Sequence, residues 1–171
     1  GTSDFTLVKI HPKKSGGDLN VDILGVKGVY VGGNDFDSEI MWYKLVKYFG
    51  ANVKYESWQK WLNMPVHLMR LLCTWHRIPL LKDSRTREFF RELLRTADDK
   101  GSIIRLRALV EENLGFSVFQ AIEKAKCGLS TKEMEEIEFH QSVIDINEPI
   151  KRVEFERMIS GKIGEIDSCI D

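Results

Sequence analysis

One side of a predicted helix carries polar groups that could hold a small ligand. The helix is predicted over residues 116–127, with an apolar stripe of Val118, Ala121, Ile122 and Ala125. Helical spacing places a polar set on a different side: Glu123, Lys126, Cys127 and Ser130. A carboxylate can accept hydrogen bonds from ribose hydroxyls, and ammonium and hydroxyl groups can donate to ring nitrogens. Spacing alone favours an ordinary solvated Glu–Lys pair.

A second stretch lies where a predicted strand meets a predicted helix. Gly32 and Gly33 lack a Cβ atom, so the backbone can turn there or approach another group closely. Asn34 is predicted to cap the helix that follows, and Asp37 places negative charge in its first turn. The N–H groups of such a turn can bind a phosphate. The motif alone favours an ordinary strand-to-helix turn.

Three stretches, in the right order, resemble the ATPase domain of the seventy-kilodalton heat-shock (DnaK-type) chaperones. Residues 31–37, VGGNDFD, are similar to the Gly-Gly-x-Asp-Phe-Asp segment of that family. Residues 1–5, GTSDF, resemble the end of its second phosphate loop. Residues 122–130, IEKAKCGLS, resemble the helix whose Glu, Lys, Arg and Ser surround the adenosine.

The resemblance implies two sets of nucleotide-binding residues. The phosphate set is Gly1, Thr2, Gly32 and Gly33, and the adenosine set is Glu123, Lys126, Cys127 and Ser130. Cys127 stands where the family has an arginine that packs against adenine, so a planar cation is missing. The implied ligand in the intact parent is ATP or ADP with Mg²⁺, and the implied partner is a cochaperone or nucleotide-exchange factor. No catalytic or metal-binding residue is assigned.

The resemblance also implies a piece of a divergent, DnaK-related protein. Asp35 and Glu123 are farther apart than in mainstream members, which implies an inserted segment. The first phosphate loop, the catalytic lysine and the peptide-binding domain of the family have no counterpart in the sequence. The parent is expected to be an ATPase. This chain alone is expected to be inactive and to bind nucleotide only weakly, because one lobe offers half of the contacts that orient the reacting groups.

Composition narrows the classes of function. The 171 residues include 25 basic and 26 acidic side chains, a net charge of −1, which argues against a dedicated binder of nucleic acid or anionic membranes. No apolar run approaches the roughly 18 residues of a membrane-spanning helix, and no signal sequence opens the chain, so a cytoplasmic location is expected. Cys73, Cys127 and Cys169 are widely spaced, which favours reduced thiols over disulfides or zinc.

The composition of segment 51–75 indicates an alternative function. It is rich in large apolar residues and includes Trp58, Trp61 and Trp75. Helical spacing in its second half favours a buried helical core. An exposed patch would instead mark a stand-alone protein-interaction module.

A row of arginines indicates a third candidate function. Arg87, Arg91 and Arg95 line one face of the helix that Asp83 is predicted to cap, which could bind nucleic acid weakly. Acidic residues lie among them and weaken the field, so a solvated face is favoured. We therefore expect no nucleic-acid partner.

The remaining elements predict an α+β fold. Strands are predicted over residues 4–10 and 21–31, joined by an exposed connection in which Lys13 and Lys14 are more typical of solvated lysines than of an anion site. Helices are predicted over 37–49 and 103–114, two strands around 137–146, and a closing helix over 154–170. The resemblance makes this part of lobe II of an actin-like ATPase fold, with short strands flanking a mostly helical subdomain. The predicted units are the strand region 1–33, the outer subdomain 34–150 and the closing helix 151–171.

Overall fold

Helices and small antiparallel sheets alternate along the chain, which confirms the α+β class. The computed structural model describes residues 1–11 and 21–170. Two units are present: unit 1 comprises Gly1–Phe36 and Ile159–Asp171, and unit 2 comprises Asp37–Met158. The predicted boundaries after residues 33 and 150 therefore differ from the observed divisions after Phe36 and Met158. Lys13, Lys14 and their predicted connection lie outside the described residues.

Unit 1 contains one antiparallel pair of strands. β1 spans Ser3–Ile10 and β2 spans Val21–Val29, and the register changes between Leu7 and Val8. Both strands were predicted, the first from its alternation of apolar and polar residues. After β2, the Ser3 hydroxyl donates a hydrogen bond to the carbonyl oxygen of Val31 at 2.8 Å.

The helical segment after Gly32 changes its type twice. α1 spans Gly33–Ile40, a π-helix spans Met41–Leu45, and a 3-10 helix spans Val46–Phe49. Gly50 ends the segment with a φ of 95°, as its identity predicts. The predicted extent to Phe49 is confirmed, but the predicted cap at Asn34 is wrong. Gly32 precedes the first helical residue, and its N–H donates to Oδ2 of Asp35 at 2.7 Å, as an acid three residues into a helix can accept.

The segment 51–75 does not form the predicted buried helix. β3, Lys54–Ser57, and β4, Lys60–Asn63, form an antiparallel hairpin, and only a short α2, Val66–Leu72, follows. Trp58 is 95% exposed and Trp61 60% exposed. Helical spacing was correct for Leu68 and Leu72, which are buried. The expectation of a buried helical core was wrong for the first half, because Trp58 and Trp61 belong to a hairpin whose only buried strand residue is Tyr55.

The helices of unit 2 follow their predicted stripes. A 3-10 helix, Trp75–Lys82, precedes α3, Ser84–Thr96, α4, Lys100–Glu111, and α5, Gly115–Gly128. Asp83 caps α3, as predicted, by accepting hydrogen bonds from the N–H groups of Arg85 and Thr86. The predicted inner faces supply buried residues to one core: Phe90, Leu93, Ile103, Leu106, Val110, Val118 and Ile122.

A second hairpin completes the core of unit 2. β5, Met134–Gln141, pairs with β6, Ile144–Lys151, near the positions predicted. Along β6, buried and exposed residues alternate, and Ile144, Ile146 and Ile150 face the core. α6 spans Arg152–Ile170 and begins two residues before the prediction. Within residues 1–11 and 21–170, no helix combines the length and apolar character needed to cross a membrane.

Candidate functional site

An ion pair inside unit 2 joins Asp37 to Lys126. Nζ of Lys126, on α5, lies 2.6 Å from Oδ1 of Asp37, on α1. The two side chains are only 16% and 7% exposed. Beyond this ion pair, Oδ1 accepts no hydrogen bond from the described part of the chain. Asp37, the last residue of VGGNDFD, therefore lies beside the lysine of the predicted adenosine set.

Burial and charge oppose each other at this pair. Removal of water around the carboxyl of Asp37 raises its pKa above the ordinary 3.8, and this effect exceeds the opposing hydrogen bond and attraction of Lys126. Repulsion from Glu123 raises the pKa further. Glu123 thus lies within electrostatic reach of Asp37, and the ammonium of Lys126 is accompanied by two carboxyl groups, Glu123 on α5 and Asp37 on α1.

Lys126 and Ser130 also border one recess on the surface of unit 2. Its volume is about 240 Å³, and Leu129 forms part of its wall. The start of α6 supplies the other side: Arg152, Phe155 and Glu156. Cations, a hydroxyl, a carboxylate and an aromatic ring around one recess suit a flat ligand with several polar groups.

Arg152 holds the two sides of this recess together. Its Nε donates to the carbonyl oxygen of Leu129 at 2.8 Å, and Nη2 donates to that of Lys132 at 2.9 Å. Nη1 lies 3.0 Å from the carboxylate of Glu133. The guanidinium therefore ties the exit of α5 to the first residue of α6. Arg152 and Phe155 were not predicted from the sequence, because no local spacing connects them with α5.

The rest of the adenosine set is exposed on the predicted polar side of α5. Glu123, Cys127 and Ser130 are exposed, whereas Lys126 is half-buried. Behind them, the predicted stripe is buried at Val118, Ile122 and Ala125 and half-buried at Ala121. Cys127 does not line the recess. The structure thus brings Lys126 and Ser130 to one recess and leaves Cys127 beside it on the same helix.

The predicted phosphate set lies in unit 1, where two of its glycines touch. A Cβ atom on Gly32 would lie 2.9 Å from Cα of Gly1, closer than a side chain can come. The N–H of Gly32 already donates to Asp35, so this amide can reach a phosphate only if that hydrogen bond opens. Thr2 donates from its hydroxyl to Asp4 at 3.3 Å, and Gly33 is the first residue of α1.

A buried acidic residue, which sequence analysis also missed, lies on the inner face of β6. Glu148 is 6% exposed, and its Oε2 accepts a hydrogen bond from the hydroxyl of Tyr48 at 2.7 Å. Lys47 lies 2.7 Å from Oε2, and Lys44 lies 3.2 Å from Oε1. These contacts link β6 to the helical segment 41–49 of unit 2.

The contacts of Glu148 shift two pKa values. Burial raises the pKa of Glu148, but the hydrogen bonds from Lys47, Tyr48 and Lys44 outweigh it and hold the pKa below the ordinary 4.5. Burial, and then the bond to Glu148, raises the pKa of Tyr48 to about 12. The cluster therefore stabilises a charged carboxylate beside a neutral phenol.

Other candidate groups are dispersed. No cluster of three His, Cys, Asp or Glu side chains that could hold a metal ion occurs in residues 1–11 and 21–170. The three cysteines are free thiols, and burial raises the pKa of Cys73 to about 12. In the arginine row, Arg91 forms an ion pair with Glu88 on the same helix.

Comparisons with known proteins found no match to this chain. No family model matches it, and neither a curated protein nor a solved structure matches it.

Proposed function

We propose that this chain is the adenosine-contacting part of the nucleotide-binding domain of a DnaK-type, ATP-dependent chaperone, in lobe II of an actin-like ATPase fold. The observation that carries the proposal is the position of Lys126. Its ammonium lies beside Asp37 of a second family-like stretch and borders the recess that Ser130 also lines. Three chemical features of an adenosine site, a cation, a hydroxyl and a carboxylate, are thus close together.

Each polar group has a distinct role in the proposal. Glu123 accepts hydrogen bonds from the ribose hydroxyls, and Ser130 donates to the base or the sugar. Lys126 carries three N–H donors, so it can keep its contact with Asp37 and donate to the ligand as well. With Cys127 in place of the family's arginine, no guanidinium from that position covers the adenine, which predicts weak binding.

The described residues offer fewer groups to bind the phosphates and the metal. The motif resemblance predicts phosphate contacts at Gly1, Thr2, Gly32 and Gly33 of unit 1, where the N–H of Gly32 already donates to Asp35. Mg²⁺ accompanies nucleotide phosphates in such enzymes. The described residues offer no set of ligands that fits Mg²⁺, so we assign it no protein ligand and derive no hydrolytic step. The proposal places the parent in the cytoplasm with a cochaperone or exchange factor as partner.

Titration of ADP into the isotope-labelled chain, followed by amide shifts in NMR spectra, tests the proposal. We expect shifts in residues 123–130 and an affinity loss of about fivefold or more in Lys126→Ala and Ser130→Ala. Lys124→Ala is the matched control, because Lys124 is exposed on the same helix and lines a different recess, and it should change affinity less than about twofold. Absence of any shift in residues 123–130 at about 10 mM ADP would rule the site out.

A protein-binding role is the second candidate function. It is favoured by the exposure of Trp58 and Trp61, which form no part of the core of unit 2. Large exposed aromatic side chains are typical of interaction surfaces. Loss of a bound protein in Trp58→Ala and Trp61→Ala, with unchanged melting temperature, would support this role.

A further inference from the structure

The β3–β4 hairpin of unit 2 has one covered edge and one open edge. On the β3 side, Tyr55 forms a bridge with Ala97. Lys54 donates from its N–H to the side chain of Asp98 at 3.0 Å, and its carbonyl oxygen accepts from the N–H of Asp98 at 3.0 Å. On the other side, β4 pairs with no further strand among the described residues.

The strand register identifies the backbone groups at the open edge. Ser57 lies opposite Lys60, and the N–H of Met64 donates to the carbonyl oxygen of Val53 at 3.1 Å. Backbone groups alternate in direction along a strand, so Lys60, Leu62 and Met64 direct theirs toward β3. Trp61 and Asn63 therefore direct theirs outward. In the described part of the chain, neither residue forms a backbone hydrogen bond on that side.

The side chains of β4 leave this edge accessible. All four of its residues are exposed, and Trp61 and Leu62 point to opposite faces of the hairpin. Charged side chains commonly protect edge strands from pairing with another chain, and β4 has only one, Lys60.

The turn that connects β3 and β4 is strained. Trp58 and Gln59 have φ values of 50° and 60°, and such strained residues concentrate at binding sites.

We propose that β4 binds an extended segment of another polypeptide as an added strand. The outward N–H and C=O groups of Trp61 and Asn63 match the backbone of a strand, and Trp61 favours an aromatic or β-branched side chain across from it. The proposal gives the second candidate function a defined site and a kind of partner, and it does not depend on nucleotide binding.

The size of β4 favours a peptide over a second copy of this chain. Four strand residues span about 14 Å, which provides far less contact than the roughly 1,200 Å² of a stable protein–protein interface. A flexible segment needs only the backbone bonds and one or two side-chain contacts to bind with modest affinity. The occupant is therefore an extended segment with alternating apolar residues.

A synthetic peptide of sequence Lys-Thr-Val-Tyr-Val-Thr-Lys, capped at both ends, serves as the probe. We expect it to shift the amide resonances of Trp61 and Asn63 and to slow their hydrogen exchange. The matched control is the same peptide with N-methyl groups on alternate amides, made in both alternations so that one of them blocks the bonds to β4. That control should bind about tenfold more weakly, because each lost backbone bond weakens association.

Two substitutions at one residue test the protein side. Asn63→Pro removes the outward N–H without removing a bond to β3, whereas Asn63→Ala keeps it. Peptide affinity should fall about tenfold in Asn63→Pro and change less than about twofold in Asn63→Ala. Melting curves establish that both variants are folded, and the methylated peptides give an independent answer with the unchanged protein.

Other results would overturn strand addition. Binding of both methylated peptides as tight as that of the unmethylated peptide would do so, and so would the absence of shifts at Trp61 and Asn63 at about 5 mM peptide. Binding that is lost in Trp61→Ala but kept in Asn63→Pro would support protein binding through the tryptophans alone. Self-association that Asn63→Pro abolishes, without peptide binding, would identify a second copy as the occupant.

Discussion

Lys126 lies 2.6 Å from Asp37, and this contact joins α5 to α1 in the interior of unit 2. Both side chains are largely removed from water, so the pair affects stability as well as any ligand that Lys126 contacts. The two partners are not equivalent. Burial raises the pKa of Asp37 despite the nearby ammonium, which means that the carboxylate gains less from Lys126 than it loses by leaving water.

Lys126→Ala should destabilise the chain by about 2 kcal/mol near pH 7, because it leaves the carboxylate of Asp37 without its cation. The measurement is urea unfolding followed by tryptophan fluorescence. Lys124→Ala is the control and should change the free energy of unfolding by less than about 0.5 kcal/mol. Adding Asp37→Asn to Lys126→Ala should restore most of the loss, and a double variant as unstable as the single one would contradict this account.

The free energy of unfolding of the single variant Asp37→Asn should increase, relative to that of the unchanged protein, as pH rises. The folded pKa of Asp37 is raised, so its contribution to stability is fully present below 3.8 and is lost as pH rises through the folded value. Asparagine stays neutral, so the variant loses no stability from this position over that range. Unfolding free energies measured from about pH 3.5 to pH 7 should show the difference, and Glu138→Gln, on the exposed side of β5, serves as the control. A difference that moves the opposite way would show that Lys126 outweighs burial.

Glu148→Gln should destabilise the chain by about 2 kcal/mol near neutral pH, because Lys44 and Lys47 lose a buried anionic partner. The folded pKa of Glu148 is lowered, so its contribution is present above 4.5 and is lost as pH falls through the folded value. The difference between variant and unchanged protein should therefore shrink in acid. Glu138→Gln, on the exposed side of β5, is the control. A difference that grows in acid would disprove the assignment.

The buried stripes of α3, α4 and α5 could be predicted because local spacing determines them. The turn at Trp58 and Gln59 could not be predicted from local sequence. A two-residue hairpin turn with two positive φ angles normally has Asn-Gly or a similar pair, and Trp-Gln gives no such signal. The contacts of Lys126 with Asp37 and of Glu148 with Lys44 join residues far apart in sequence. Residue spacing within one helix could place Glu123, Lys126 and Ser130 together, but it could not identify their partners.

Gln59→Gly should stabilise the hairpin by about 0.5–1 kcal/mol. Gln59 has a φ of 60°, which glycine adopts without the steric penalty of a side chain, and part of that gain is offset by the greater freedom of glycine in the unfolded chain. Thermal unfolding should show a higher melting temperature. Ser57→Gly is the control, because Ser57 lies in β3 and is not among the residues with positive φ, so glycine should lower stability there. Equal effects at both positions would argue against strain in the turn.

Cys127→Arg should strengthen the binding of adenosine if the site on α5 is correctly assigned. Cys127 is exposed, so the longer side chain can be accommodated without disturbing the core. A guanidinium can lie flat on the adenine ring, which is worth about 0.5–2 kcal/mol, or about two- to thirtyfold in affinity. Adenosine is the ligand of choice, because it has no phosphate that could attract any added cation.

Cys127→Lys supplies the matched control for this last prediction, since it adds the same charge without the planar group. Calorimetric or NMR titration with adenosine should rank Cys127→Arg above Cys127→Lys and the unchanged chain, with melting curves to exclude unfolding. Lys126→Ala should weaken binding in the same assay. If neither Cys127→Arg nor Lys126→Ala changes the affinity for adenosine, adenosine does not bind at this face. The contact of Lys126 with Asp37 would then serve stability alone, and the exposed side of α5 would be an ordinary solvated surface.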